Sequence, residues 1–330
     1  MQEEISQSDT PLRARSSFQR RGYLSDLIAR NVFLVCAVLI VLIIVGVFVF
    51  LGINGLRLFS LDSARAFTFF TSTDWQLDPR PDIVQVYGPV SYGALGFLLG
   101  SVVTTIGSIL IVTPLAFGMA LFMTEISPKW LTAILRPLLE IFTGMPSVVI
   151  GFLGLTILVP WLTTVAGPLA PTPATAGSGW GAAILVLVIM ILPTVISISI
   201  DALNAVPYSV REASLALGAT RWQTMKNAIL PAATTGLATA VVLGMARAIG
   251  ETFAVTMVLH GSTVLPKNLL SLGVFFQPNI TTTQGIVSFF ADAPTSAARS
   301  ACLMLGLVLL VISLGFVSIS RYLAGRSVYK

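Results

Sequence analysis

An arginine deep inside an apolar run is the feature of this chain best suited to chemistry. Arg247 lies 13 residues past Thr234 in TTGLATAVVLGMARAIGETFAVTMVLH, or ~20 Å along a helix at 1.5 Å per residue. A charge at that depth costs at least about 2.5–3.5 kcal/mol on insertion scales, so it marks a pathway or a structural ion pair. Glu251 follows at i+4, on the same face of a continuous helix, where it can pair with the guanidinium and lower the cost of burying it. The guanidinium offers five donors in a planar fork that suits a tetrahedral oxyanion. The carboxylate can hold that fork and then compete with the anion for release. Gly244 and Gly250 thin the helix and admit a neighbouring backbone or a ligand. The chemistry on offer is reversible anion binding; the other reading is an ion pair that ties helices together.

Arg136 and Glu140 repeat the i,i+4 spacing where a third apolar run begins. Arg136 is close enough to the interface to snorkel. Glu140 is one turn deeper and is followed by Thr143, Gly144, Pro146 and Ser147. Pro146 removes a backbone hydrogen bond and invites a kink, and the hydroxyls can line an opening. Asp201 and His260 sit where spans end and read as interfacial side chains. Cys36 and Cys302 both fall within apolar runs with no metal-ligand spacing, so neither a structural disulfide nor a metal site is expected. The nucleophile elbow, the zinc-protease motif and the dinucleotide fingerprint are missing. The Gly-rich phosphate loop is missing too, so any ATP must be handled by another subunit.

The elements that position these residues are membrane helices. The 330 residues are 55% hydrophobic and 10% charged, with a mean hydropathy of +0.90, where a soluble domain carries about 25% charged residues. Six stretches reach the roughly 20 residues needed to span: 32–51, 97–123, 135–159, 181–203, 235–259 and 301–320. Backbone groups in lipid must be satisfied internally, and the alternation of a barrel is absent, so the chain is an all-α polytopic membrane protein. With both termini inside, thirteen of the 19 Lys and Arg residues fall in cytoplasmic segments, as the positive-inside rule requires. Topology therefore accounts for the net charge of +5, and no nucleic-acid partner is implied. The first run follows a long basic segment and is too long for a signal peptide core, so it reads as an uncleaved first helix. Residues 1–30 form a basic tail, flexible over 1–21. The transmembrane domain covers 31–325, and 326–330 form a second tail.

Residues 212–231, EASLALGATRWQTMKNAILP, place a polar, basic stretch between two apolar runs. Gly218 suits a tight turn between two short helices, because Gly enters positive φ without a steric penalty. Leu215, Leu217, Trp222 and Met225 offer an apolar face to a soluble partner outside the lipid. The stretch resembles the cytoplasmic coupling loop of ABC-importer permeases, which runs Glu-Ala-Ala, three residues, Gly, nine residues, Ile, one residue, Leu-Pro. Glu212, Ala213, Gly218, Leu230 and Pro231 match, while Ser214 and Ala228 depart from the pattern. The resemblance implies a segment over 207–231 that meets an ATPase, with Leu217, Ala219 and Trp222 taking part.

Three further strings narrow the family. RAIGET at 247–252 looks like the signature of phosphate-specific ABC-importer permeases. LRPLLEIFTGMPSVVIGFLGL at 135–155 is similar to their third-span segment, and FTFFTSTDW at 67–75 resembles the outer-loop motif of the C-type subunit (PstC). The resemblance implies a six-helix, type I ABC importer permease-like bundle in the bacterial plasma membrane, with N and C termini cytoplasmic. It implies a homologous second permease subunit (PstA-like), two copies of an ABC ATPase subunit and an extracytoplasmic phosphate-binding protein. It also implies that Arg247, Glu251, Thr252 and Glu140 line the phosphate path. No cofactor is expected on this chain; ATP and Mg would sit on the partner ATPase. Sulfate and molybdate permeases share Arg-Ala-x-Gly-Glu, so those oxyanions are the alternative cargo. Thr252 and the other two strings favour phosphate.

Two long loops, 52–96 and 261–299, face outward on this topology. They read either as a docking surface for an extracytoplasmic protein or as a cap that seals the outer mouth. The loop 160–179 reads as a connector. An anion entering against an inside-negative potential costs ~2.3 kcal/mol per charge per 100 mV, which disfavours a channel. A secondary transporter would show an internal repeat or matched broken helices, and neither stands out. A scaffold explains the 212–231 loop but not Arg247.

Overall fold

The computed structural model describes residues 13–61, 66–166, 177–263 and 272–325, with side chains from residue 27 to 322. Residues 1–12, Arg65, residues 167–176 of the expected connector, Pro266, Lys267, Leu269, Arg326 and Lys330 lie outside the described residues. The chain divides into two units, 1–53 and 54–330.

The first unit is helical. Helix α1 (Arg13–Leu56) begins inside the segment expected to be a flexible tail. Nearly all its side chains from Leu27 to Ile53 are exposed, and an all-round apolar surface of this kind is suited to lipid.

The second unit opens with the first long loop. It holds α2 (Leu58–Leu61), α3 (Ala66–Thr71), strand β1 (Trp75–Gln76), α4 (Pro81–Tyr87) and strand β2 (Ser91–Tyr92). The strands pair antiparallel with Trp75 opposite Tyr92. Between them Arg80 Nε donates to Asp78 Oδ2 at 2.8 Å, and this bond holds the Asp78 carboxyl below its ordinary range. Helix α5 (Leu95–Leu121) ends in a π turn, Phe122–Ile126. Then come α6 (Lys129–Gly144), α7 (Ser147–Leu153), a π turn (Gly154–Leu158), α8 (Val159–Ala166) and α9 (Trp180–Asn204). Next are α10 (Tyr208–Ala216), α11 (Arg221–Thr224), a π turn (Met225–Ile229), α12 (Leu230–Ala232), α13 (Thr234–Gly250) and α14 (Phe253–Val258). A 3₁₀ turn (Leu272–Phe276), α15 (Thr282–Phe290) and α16 (Ser296–Gly325) complete the unit.

Helix α9 is the axis of this unit. It packs against α5 and α13, and Trp180, Leu187, Met190, Ile191 and Leu203 are buried along it. A second apolar cluster joins both long loops to α5 and α16 through Leu58, Phe69, Phe97, Ile280 and Leu305. Trp75 of β1 stands 4.8 Å from the Phe97 ring and 6.1 Å from Phe289 of α15. The described parts of the two loops therefore pack together on α5 and α16, while Val86 and Tyr87 of α4 are exposed.

Among the described residues five helical stretches are long and apolar enough to span, and a sixth forms if Arg221–Ala232 and Thr234–Gly250 are joined across a 69° bend. Two of the expected spans end differently. The third is Ser147–Val165, not 135–159. Pro146 lacks an N–H and forces Met145 into an extended conformation (ψ 134°), so α6 stops at Gly144 as a separate helix. The fifth does not run unbroken to residue 259: α13 stops at Gly250, and α14 starts at Phe253.

Candidate functional site

Arg247 is held on α13 by close packing against α9. Gly244, one turn earlier, faces Val195, and a Cβ there would come within 2.6 Å of the Val195 Cγ2 methyl. That approach sets the half-buried Arg247 beside Thr194, and Nη1 donates to the Thr194 hydroxyl at 3.0 Å. Thr194 follows Pro193, which lies inside α9 and deprives one carbonyl of its helical donor. A Cβ added at Gly250 would meet nothing within 4 Å; Gly250 is the last residue of α13 rather than a packing glycine.

Glu251 does not pair with Arg247. The expected i,i+4 register needs a continuous helix, and at Glu251 the backbone is extended (φ −73°, ψ 128°). Its Oε1 accepts the Ala254 amide at 3.1 Å, and its carbonyl accepts the Thr283 hydroxyl at 3.2 Å. The carboxylate thus satisfies one of the amides that open α14. Thr252, half-buried in the same break, has its carbonyl bonded by the Thr256 hydroxyl at 2.7 Å. Ion pairs among the described residues are Arg80–Asp78 and Arg211–Glu125.

Hydroxyl groups surround the break. Ser101, Thr104 and Thr105 of α5, with Thr281 and Thr283 at the head of α15, line a cavity of about 10 Å³ with Glu251, which is space on the order of one water. Ser101 donates to Thr282 Oγ1 at 2.9 Å and accepts the Thr282 amide at 2.9 Å. Thr282 in turn donates to the Phe97 carbonyl at 3.0 Å, so α15 is stitched into α5. Sequence reasoning passed over these residues. Their signal was present: hydroxyls at i, i+3 and i+4 inside an apolar run, and the string TTTQ after Ile280.

Glu140 stands apart. It is exposed on α6, on the polar stripe with Lys129, Thr132, Arg136 and Thr143, while Leu135 and Leu139 pack on the core. Among the described residues no hydrogen bond or ion pair joins it to Arg136, Arg247, Glu251 or Thr252.

The 212–231 stretch folds as two short helices about a turn. Gly218 has φ +82°, and its N–H donates to the Leu215 carbonyl at 2.9 Å. Thr220 caps α11 in a capping box with Gln223, closing two amides reciprocally. Leu217 is 90% exposed and Trp222 65%, with Leu215 also exposed. Met225 departs from the expected face: it is buried, because it begins the π turn that packs into the core. Glu212 and Ala213 are exposed, Ala219 is half-buried, and Leu230 and Pro231 start α12 partly buried.

Residues 112–328 match the family model of the binding-protein-dependent transport system inner membrane component. A probable ABC transporter permease protein, YqgH of Bacillus subtilis (strain 168), is 39% identical over 316 residues, 94% of either chain. The phosphate transport system permease protein PstC of Xylella fastidiosa (strain 9a5c) is 33% identical over 274 residues, 78% of this chain and 79% of that protein. PstC of Mesorhizobium japonicum (strain LMG 29417 / CECT 9101 / MAFF 303099) is 31% identical over 328 residues, 95% of this chain and 94% of that protein. A solved bacterial alginate ABC transporter, with a pentasaccharide-bound periplasmic protein, has a chain of the same fold. Its TM-score is 0.63 at 14% identity, covering 94% of this chain and 96% of that one. With the family match spanning well over half of its length, this chain belongs to the binding-protein-dependent transport system inner membrane components, as a PstC-type permease of ABC importers in the bacterial plasma membrane.

Proposed function

We propose that the chain is the C-type membrane subunit of an ATP-driven importer that moves inorganic phosphate by alternating access. The observation that carries this reading is Arg247, half-buried in α13 with its fork steadied by Thr194 and a hydroxyl-lined break one turn further on. Relatives across most of the chain are named as phosphate transport permeases, which supports phosphate among the tetrahedral oxyanions. Arg247 offers the anion its donors, Glu251 and Thr252 shape the break, and Glu140 contributes from α6. An extracytoplasmic phosphate-binding protein delivers at the outer loops. A PstA-like second permease completes the path, and two ABC ATPase subunits, which hold the ATP and Mg, grip residues 207–231. Both termini lie in the cytoplasm, and this chain carries no cofactor of its own and no nucleic acid. ATP drive fits the cargo, since each negative charge moved inward costs ~2.3 kcal/mol per 100 mV.

Uptake of labelled phosphate by the reconstituted complex, with sulfate and molybdate in excess, tests the cargo. Uptake that ignores both competitors is expected. Uptake blocked by either one would reassign the chain to that oxyanion.

A further inference from the structure

The half-buried ion pair Glu125–Arg211 lies outside both sites above. Glu125 is in the π turn that ends α5, and Arg211 is one turn into α10. Arg211 Nη2 and Nε both donate to Glu125 Oε1, at 2.8 and 3.1 Å. Nη1 donates to the Val206 carbonyl at 2.8 Å, and Nη2 also donates to the Leu203 carbonyl at 3.1 Å. Those carbonyls belong to the end of α9 and the turn after it, where a helix leaves acceptors unsatisfied and its dipole favours a cation. One guanidinium therefore joins the ends of α5 and α9 to the root of α10. Only a planar fork with several donors makes all four bonds at once. The two side chains are 15% and 17% exposed, so salt screens them little.

Little else holds α10 to that pair of helices. It packs on α11 and on the π turn after it, with Ser214 and Thr224 hydroxyls 3.0 Å apart. Val210 reaches the core. Beside it opens a cavity of about 800 Å³, walled by Glu125, Tyr208, Arg211, Leu215 and Arg221 among others. The ion pair is part of that wall, so α10 borders open space where Arg211 ties it to the ends of α5 and α9.

We infer that Glu125 and Arg211 are positioning residues for energy coupling. They carry a displacement of α10 into α5 and α9, the helices that hold Ser101 and Thr194 of the candidate path. This rests on the importer reading above. In the full complex in proteoliposomes, Glu125→Gln and Arg211→Lys are compared with wild type for assembly, ATP hydrolysis and labelled-phosphate uptake. Gln keeps the shape without the charge, and Lys keeps the charge without the fork. Both variants are expected to assemble and hydrolyse ATP, while phosphate moved per ATP falls about tenfold, the order of factor that loss of a hydrogen bond to a charged group corresponds to. A wild-type ratio in both variants overturns the inference. Failure of both to assemble also overturns it, since the contact would then only anchor the fold. Absence of ATP-dependent uptake by the wild-type complex overturns the importer reading itself, and this inference with it.

Discussion

At the scale of the residue, the account turns on one guanidinium and what steadies it. Thr194→Val deletes the hydroxyl that Arg247 donates to and keeps the side chain's shape. A hydrogen bond to a charged group is worth about 1.5–3 kcal/mol, so uptake is expected to fall roughly tenfold or more while the complex still assembles. Unchanged uptake would show that the fork needs no support from α9. Glu251 makes a separable prediction, because its Oε1 accepts the Ala254 amide. Glu251→Gln keeps that acceptor and should melt near wild type, whereas Glu251→Ala loses it at a cost of about 1 kcal/mol. A Gln variant melting as low as the Ala variant would contradict the capping role. The place of Arg247 within an apolar run was legible in the sequence. Thr194 was not, being 53 residues earlier on another helix, and periodicity names no partner across helices. Nor was the break at Glu251 legible: an i,i+4 pair assumes a helix that continues, and nothing in Gly-Glu-Thr announces that it stops.

At the scale of the element, turns and breaks decide how the helices are used. Gly218 at φ +82° lets α10 and α11 fold back as a knob with Leu217 and Trp222 outward. Gly218→Pro forbids that φ and deletes the N–H bonded to Leu215. The spans should still assemble, with ATP hydrolysis retained and phosphate uptake lost, as measured by transport per ATP. Coupled uptake at the wild-type ratio would remove the knob from the mechanism. Gly218→Ala is a milder case, costing about 1–2 kcal/mol for a left-handed residue, and should lower thermal stability with part of the coupling kept. This element was readable because Gly218 stands in a polar stretch between two apolar runs, where a Gly marks a turn. Pro146 was equally readable as a breaker, yet the third span was placed too early. Helix α6 has an apolar side of its own, with Trp130, Ile134, Leu138 and Ile141 exposed, and an apolar window cannot tell such a helix from the start of a span. Met225 was misjudged because its burial comes from the way the turn that it begins packs into the core, which spacing does not show.

At the scale of the whole molecule, α5, α9 and α13 pack on one another in the second unit, and they carry Ser101, Thr194 and Arg247. The described parts of both long loops meet at α5 through the rings of Trp75, Phe97 and Phe289. The polytopic helical class was legible because lipid leaves the backbone few choices, while the expected six spans stand against five among the described residues, or six if the bent pair counts as one. The seating of Thr281–Gln284 in the bundle was hidden, since a loop reading assigns no depth to hydroxyls.

The most direct test is ATP-dependent uptake of labelled phosphate by proteoliposomes holding the complete complex, with wild type and Arg247→Ala side by side. The account predicts uptake that requires ATP and binding protein in wild type, and background uptake from an intact Arg247→Ala complex. Equal uptake by the two would contradict it and return Arg247 to a structural role.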